Sequence, residues 1–138
     1  GLLPANTILT PHPAEFARLA GLETADVQAD RIALAQAKAA EWGCVVVLKG
    51  AFTVIAAPDG RTTLLPFANP ALATAGTGDV LAGSIVGMLA QGFDPFDAAV
   101  VGGWIHGASA EPARFFSSSL LAGDLLKHIP SVLNVLEA

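Results

Sequence analysis

Basic residues are scarce in this chain: 138 residues include only seven Lys and Arg, and these are scattered along the sequence. No stripe of positive charge is available to follow a phosphate backbone, and the formal net charge is −5, so a nucleic-acid partner is excluded on electrostatic grounds. Any phosphate bound here must be held mainly by backbone amides. Cysteine is almost absent. Cys44 stands alone, cannot form an internal disulfide, and lies in the run CVVVL as a small buried hydrophobe, so a reducing, cytoplasmic setting is expected. Charged residues make up only 14%, yet the longest nearly apolar run, Val80 to Ala90, falls well short of the roughly 18 residues that suggest a membrane span. No membrane partner is expected. Repeats, low-complexity tracts and interdomain linkers are lacking, and so is a signal-peptide pattern. The first residue is Gly1 rather than Met, which points to a processed, tagged or excised start.

What is present is apolar. Hydrophobic residues reach 53%, high for a single domain of this size. A parallel sheet covered on both faces absorbs part of the excess. An interface with further chain or with another subunit absorbs the rest, so a homo-oligomer is expected. Short apolar runs alternate with helical patterns in the way of an α/β fold. TIL (Thr7 to Leu9) reads as a short strand, broken by Pro11 and Pro13. Pro13 suits the first turn of a helix that stops near Gly21. Ile32, Ala35, Ala39 and Trp42 predict a second amphipathic helix within Thr24 to Gly43. CVVVLKG is a buried strand ending in a glycine turn, and TVIAA and TTLLPF flank the turn Pro58 to Arg61 as a β-hairpin. Helices are predicted over Asp79 to Gln91, Pro95 to about Glu111 and Ser119 to His128, with a short one after Pro130.

The most informative segment is AGTGDVLAGSI, Ala75 to Ile85. Three glycines and one acid stand where an irregular segment becomes a helix. The N–H groups of Gly76, Thr77 and Gly78 would be free at that helix N-terminus, which is an anion site. Glycine permits positive φ and close approach of the backbone to a phosphate, and the helix dipole adds partial positive charge. Asp79 beside such a site has two readings. It caps the helix, or it takes a proton from a hydroxyl that attacks the phosphoryl group. Lys49 follows the strand CVVVL and so sits at its carboxyl end, where open α/β sheets bind ligands. Gly50 allows a tight turn past a nucleotide and Thr53 offers a hydroxyl. His12 is pinned between two prolines in the loop Thr10 to Glu15, which also leaves a strand end. His106, Trp42, Trp104 and Met88 read as core or helix-packing residues, and Asp124 as helix surface.

Three ordered segments, ILTPHPAEFARLAG, VVVLKGAFTVIAAPDGR and NPALATAGTGDVLAGSIVGMLAQG, resemble the carboxyl half of the ADP-dependent NAD(P)H-hydrate dehydratase family, the YjeF C-terminal domain of the ribokinase-like superfamily. The likeness runs from about Ile8 to Gly92 and continues more loosely through WIHG and LLAGDLL. Two departures are visible, Ala14 and Ala75, where the family usually has Gly.

The resemblance implies a three-layer α/β/α fold with a mostly parallel sheet, of which residues 1–138 form one N-terminally incomplete domain. It implies repair of hydrated NADH or NADPH. The ring hydroxyl is esterified with a phosphoryl group from ADP, phosphate then departs, and AMP is the other product. Mg²⁺ neutralises the remaining charge. Carried over position by position, Lys49, Gly50, Ala51, Phe52, Thr53 and Gly78 match nucleotide-contacting positions, and His12 and Asp79 match positions facing the hydrated dinucleotide. An upstream NAD(P)H-hydrate epimerase domain in the parent protein is a further implied partner. Two other readings stand beside this one: a ribokinase-like kinase of the hydroxymethylpyrimidine or thiazole type, which TPHPAE disfavours because those kinases resemble TPN there, and a catalytically incomplete nucleotide-binding fragment. With no strand pattern before Thr7, the chain alone is expected to self-associate or be poorly stable, and to be inactive until the missing half is supplied.

Overall fold

A computed structural model describes residues 3–113 and 120–137. Four strands, β1 (Ile8–Leu9), β2 (Val45–Leu48), β3 (Val54–Ala56) and β4 (Thr62–Leu64), pair in the order β1-β2-β3-β4. β1 lies parallel to β2 with Ile8 opposite Val45, whereas β2–β3 and β3–β4 are antiparallel. The sheet of this chain is therefore mixed, and the expected mostly parallel character is confined to one pair. The cause is the turn at Pro58 to Arg61: Gly60, at φ +95, donates its N–H to the Ala57 carbonyl (3.1 Å) and folds β3 back on β4.

Alternation along the strands builds two cores. Val46, Leu48, Val54 and Ala56 face one side and meet Phe16, Val27, Ala35 and Ala39. These come from α1 (Pro13–Ala20), α2 (Thr24–Ala29) and α3 (Arg31–Trp42). On the other side Val45, Val47 and Ile55 pack on Leu81, Ile85, Ala98 and Ala99 of α4 (Thr77–Ala90) and α5 (Pro95–Ala110). The result is three layers, helices on both faces of the sheet. α4 and α5 approach so closely that a Cβ on Gly102 would lie 2.8 Å from the Ile85 backbone. α6 (Ala122–Glu137) closes over the end of α5 through Leu125 and Ala110. No helix among the described residues is long and apolar enough to cross a membrane.

Several boundaries differ from expectation for local reasons. The predicted helix across 24–43 is two helices, because Asp30 leaves helical geometry (φ −148°, ψ 69°) and its carboxylate accepts the Ala33 N–H at 3.2 Å, starting α3 anew. The last helix runs unbroken through Pro130. The N–H that proline lacks would have bonded the Leu126 carbonyl, and Leu126 lies on the exposed side of the helix. Ser119, the predicted start of that helix, lies outside the described residues. Ala14 and Ala75 both sit at ordinary negative φ, since the non-glycine residues with positive φ are Asn6 and Phe52 among those described.

Candidate functional site

The loop before α4 is tied down before it turns. Asn69 is buried; its Oδ1 accepts the Ala71 N–H (3.0 Å) and its Nδ2 donates to the Ala110 carbonyl (2.9 Å), fastening the loop to the end of α5. The Thr77 hydroxyl lies 2.7 Å from the Leu72 carbonyl and 2.8 Å from that of Thr74. Gly76, at φ +86, is the N-cap, and the helix begins at Thr77 rather than Asp79. Only Gly76 of this loop needs the glycine-favoured backbone; Gly78 is helical. The three-amide expectation also narrows. The Thr77 N–H donates to the Thr74 carbonyl at 3.2 Å, while those of Gly76 and Gly78 find no acceptor among the described residues.

Asp79 is the third helical residue, makes no capping bond, and is exposed. Its carboxylate has no hydrogen-bond or ion-pair partner among the described residues. The capping alternative therefore has no geometry behind it.

Opposite α4 lies the turn after β2. The Lys49 N–H donates to the Pro11 carbonyl (2.9 Å), and its Nζ comes 3.4 Å from the point a Cβ on Gly78 would occupy. Thr53 donates its hydroxyl to the Gly50 carbonyl at 3.1 Å. Phe52, at φ +52, donates its N–H to the Phe67 carbonyl at 2.7 Å, with its side chain half exposed.

His12 is the N-cap of α1 in a reciprocal capping box. Its Nδ1 accepts the Glu15 N–H at 3.2 Å, so the neutral ring carries its proton on Nε2, 3.4 Å from Glu15 Oε1. Glu15 Oε2 accepts the His12 N–H at 2.7 Å and lies 3.8 Å from Lys49 Nζ. The bond from the His12 N–H, helped by the charge of Lys49, holds the Glu15 carboxyl below its usual range.

These segments surround a cleft of about 650 Å³. His12, Lys49, Thr53 and the Gly76–Asp79 turn line it together, over an apolar floor that includes Leu65, Phe67 and Leu72. The sequence-predicted residues thus converge, with one exception: Gly50 and Ala51 also line the cleft, but Phe52 does not. His106, read as a packing residue, is buried and also borders the cleft. Its Nε2–H donates to the Thr77 carbonyl at 2.8 Å, and burial lowers its pKa, so the ring is neutral. Two residues were not singled out from sequence. Glu15 joins His12 to Lys49; the HPxE spacing of a capping box was the available signal. Arg31 supports the Lys49–Phe52 turn from behind, and no local motif marks it.

No group of three or more His, Cys, Asp or Glu side chains gathers as a metal site among the described residues. A cation in this cleft would be held chiefly by ligand phosphates and water rather than by a protein cage.

A family model described as NAD(P)H-hydrate dehydratase matches residues 3–131. The chain is 49% identical over 123 residues to an ADP-dependent (S)-NAD(P)H-hydrate dehydratase of Neisseria meningitidis, covering 87% of this chain and 42% of that protein. It is 48% identical over 132 residues to a bifunctional NAD(P)H-hydrate repair enzyme of Moorella thermoacetica, covering 94% of this chain and 25% of the relative. Among solved structures it resembles the ADP/ATP-dependent NAD(P)H-hydrate dehydratase of Bacillus subtilis co-crystallized with ATP and Mg²⁺. The TM-score is 0.88 at 44% identity, over 92% of this chain and 47% of that one. The chain thus spans from a quarter to about half the length of these relatives.

Proposed function

The chain belongs to the NAD(P)H-hydrate dehydratase family, with a ribokinase-like fold, and on that premise we propose that its parent polypeptide dehydrates (S)-NAD(P)H-hydrate at the expense of ADP. The products are NADH or NADPH, AMP and phosphate. Residues 1–138 form one part of the ribokinase-like domain. The observation that carries this reading is the convergence of His12, Lys49 and the Gly76–Asp79 turn on one cleft.

Lys49, Gly50, Ala51 and Thr53 hold the nucleotide. Phe52 contributes through its backbone, since its N–H fixes the turn against Phe67. The free amides of Gly76 and Gly78, at the positive end of α4, and the Lys49 ammonium stabilise charge on the phosphoryl group in transfer. Asp79, exposed and unpaired, accepts the proton of the ring hydroxyl as that oxygen attacks the β-phosphorus of ADP. AMP leaves. Phosphate then leaves the ring carbon, driven by the enamine nitrogen, and loss of a proton from the neighbouring ring carbon restores the dihydronicotinamide. His12, which lines the cleft, faces the dinucleotide on this reading. Mg²⁺, held chiefly by nucleotide phosphates and water, would supply charge neutralisation when bound. The buried, unpaired Cys44 fits a reducing, cytoplasmic compartment. The relatives described as bifunctional support an epimerase domain elsewhere in the parent protein.

The test is to incubate the full-length polypeptide carrying this chain with ADP and hydrated NADH, and to follow the absorbance of the intact dihydronicotinamide. Recovery that requires ADP and yields AMP and phosphate in equal amounts is expected. A stable phosphorylated product without recovery would assign a small-molecule kinase instead.

A further inference from the structure

The Lys49–Phe52 turn rests on a half-buried cation that no acid among the described residues neutralises. Arg31 opens α3 and reaches across to the end of β2. Its Nη1 donates to the Ala51 carbonyl at 2.6 Å, and its Nη2 to those of Leu48 (3.0 Å) and Lys49 (3.3 Å). A Cβ on Gly50 would come 2.8 Å from Nη2, and its φ of +148 favours glycine, so the backbone lies close against the guanidinium here. Nε is buried without an acceptor. No carboxylate lies within ion-pair distance of Arg31 among the described residues, and burial pulls its pKa down. A latch for a turn does not need a charge, and a half-buried cation held only by backbone carbonyls loses hydration without gaining an opposite charge.

The peptide geometry shows what the charge faces. In a trans peptide the N–H points opposite to the carbonyl it shares a plane with. With the Lys49 carbonyl drawn to Arg31, the Gly50 N–H points away from the guanidinium, and it has no acceptor among the described residues. Gly50 lines the cleft. The turn therefore combines a free donor in front with a fixed positive charge behind.

We propose that Arg31 is the positioning residue of the nucleotide site: it gathers the carbonyls of Leu48, Lys49 and Ala51 onto one guanidinium, presents the Gly50 N–H outward, and completes its charge balance with the phosphates of ADP. This rests on the reading that the turn binds ADP. Arg31 touches no reacting atom.

The test uses Arg31→Met, which keeps the length of the side chain, and Arg31→Lys, which keeps the charge, both in the full-length polypeptide. ADP affinity is measured by calorimetry, KM for ADP and for hydrated NADH by kinetics, and amide exchange at Phe52 in the nucleotide-free protein. Arg31→Met is expected to weaken ADP binding at least about tenfold, the scale of losing charge-assisted hydrogen bonds. KM for ADP should rise in step, KM for hydrated NADH should stay within about twofold, and Phe52 exchange should accelerate. Arg31→Lys should restore part of the affinity, because an ammonium cannot serve three carbonyls in fork geometry. If Arg31→Met does not fold, the same split of KM values in Arg31→Lys decides. Unchanged ADP affinity and Phe52 exchange in a folded variant overturn the inference alone, as does a parallel rise of both KM values. A wild-type protein that binds no ADP overturns the functional reading, and this inference with it.

Discussion

Replacing Gly102 by alanine tests how tightly the layer beneath the cleft is built. The new Cβ would lie 2.8 Å from both the Cα and the N of Ile85, and 3.0 Å from its Cγ1. Carbon atoms at rest stand about 3.5–4.0 Å apart, so α4 and α5 must separate by about 1 Å where they cross. Backbone cannot rotate aside as a side chain can. The cost therefore lies toward the upper end of the roughly 1–3 kcal/mol range for overpacking, while the helix preference for alanine returns about 1 kcal/mol. The net expectation is a loss of about 2 kcal/mol, roughly thirtyfold in the folded-to-unfolded ratio. Gly83→Ala is the matched control, because a Cβ there meets nothing within 4 Å. It should gain up to about 1 kcal/mol. Urea denaturation of both variants in the full-length polypeptide reads the difference directly. Because α4 carries Gly76–Asp79 at its start, Gly102→Ala should also weaken ADP binding, and Gly83→Ala should not. Equal stability of the two variants would refute the argument that the helix backbones are in contact.

Asp79→Asn keeps size but cannot accept a proton, so turnover should fall at least about a hundredfold with ADP affinity little changed; steady-state rates and calorimetry check both. Gly78→Val places methyl groups beside Lys49 Nζ and over a free amide, and should cost at least about tenfold in ADP affinity while a thermal melt remains cooperative. His106 folds as the neutral ring, with its pKa lowered from 6.5, so the unfolded chain binds the extra proton. Its contribution to stability is whole above that value and declines as the pH falls below it. His106→Gln retains a donor for Thr77 without titrating, and its denaturation midpoint should fall less than that of wild type between pH 7 and pH 5.

The sequence was most legible where one residue type is confined to one backbone task. Pro13, Gly21 and Gly43 marked helix ends, and Pro58–Gly60 marked the hairpin, because each answers to local geometry. It was less legible where two local rules compete. Asp79 obeys the composition rule for a cap, but the left-handed φ of Gly76 decides where α4 begins. The apolar positions that predict the helix, Ile32 to Trp42, all lie after Asp30, so their periodicity does not register the break there. Pro130 carries a breaker signal, which the exposure of its turn overrides. The candidate site was legible as far as its loops. Arg31 was not, because its three acceptors lie far along the chain and belong to the backbone, which has no sequence signature. The change from a parallel to a mixed sheet followed from the hairpin itself once it paired beside β2.

Strand pairing also sets the order in which the two walls of the cleft can come and go. β2, β3 and β4 form a meander in which Val54 meets Leu64 across a short turn, whereas Ile8 must find Val45 across the whole of α1, α2 and α3. Closing the longer loop costs more entropy, and the parallel pair it gains comprises only two residues on each strand. Within these residues β1 and α1 therefore dock late, when Phe16 enters the core, and they bring His12 and Glu15 with them. Lys49 and the turn behind it stay with the meander. On the proposed reading, the wall that faces the nucleotide is thus in place before the wall that faces the dinucleotide.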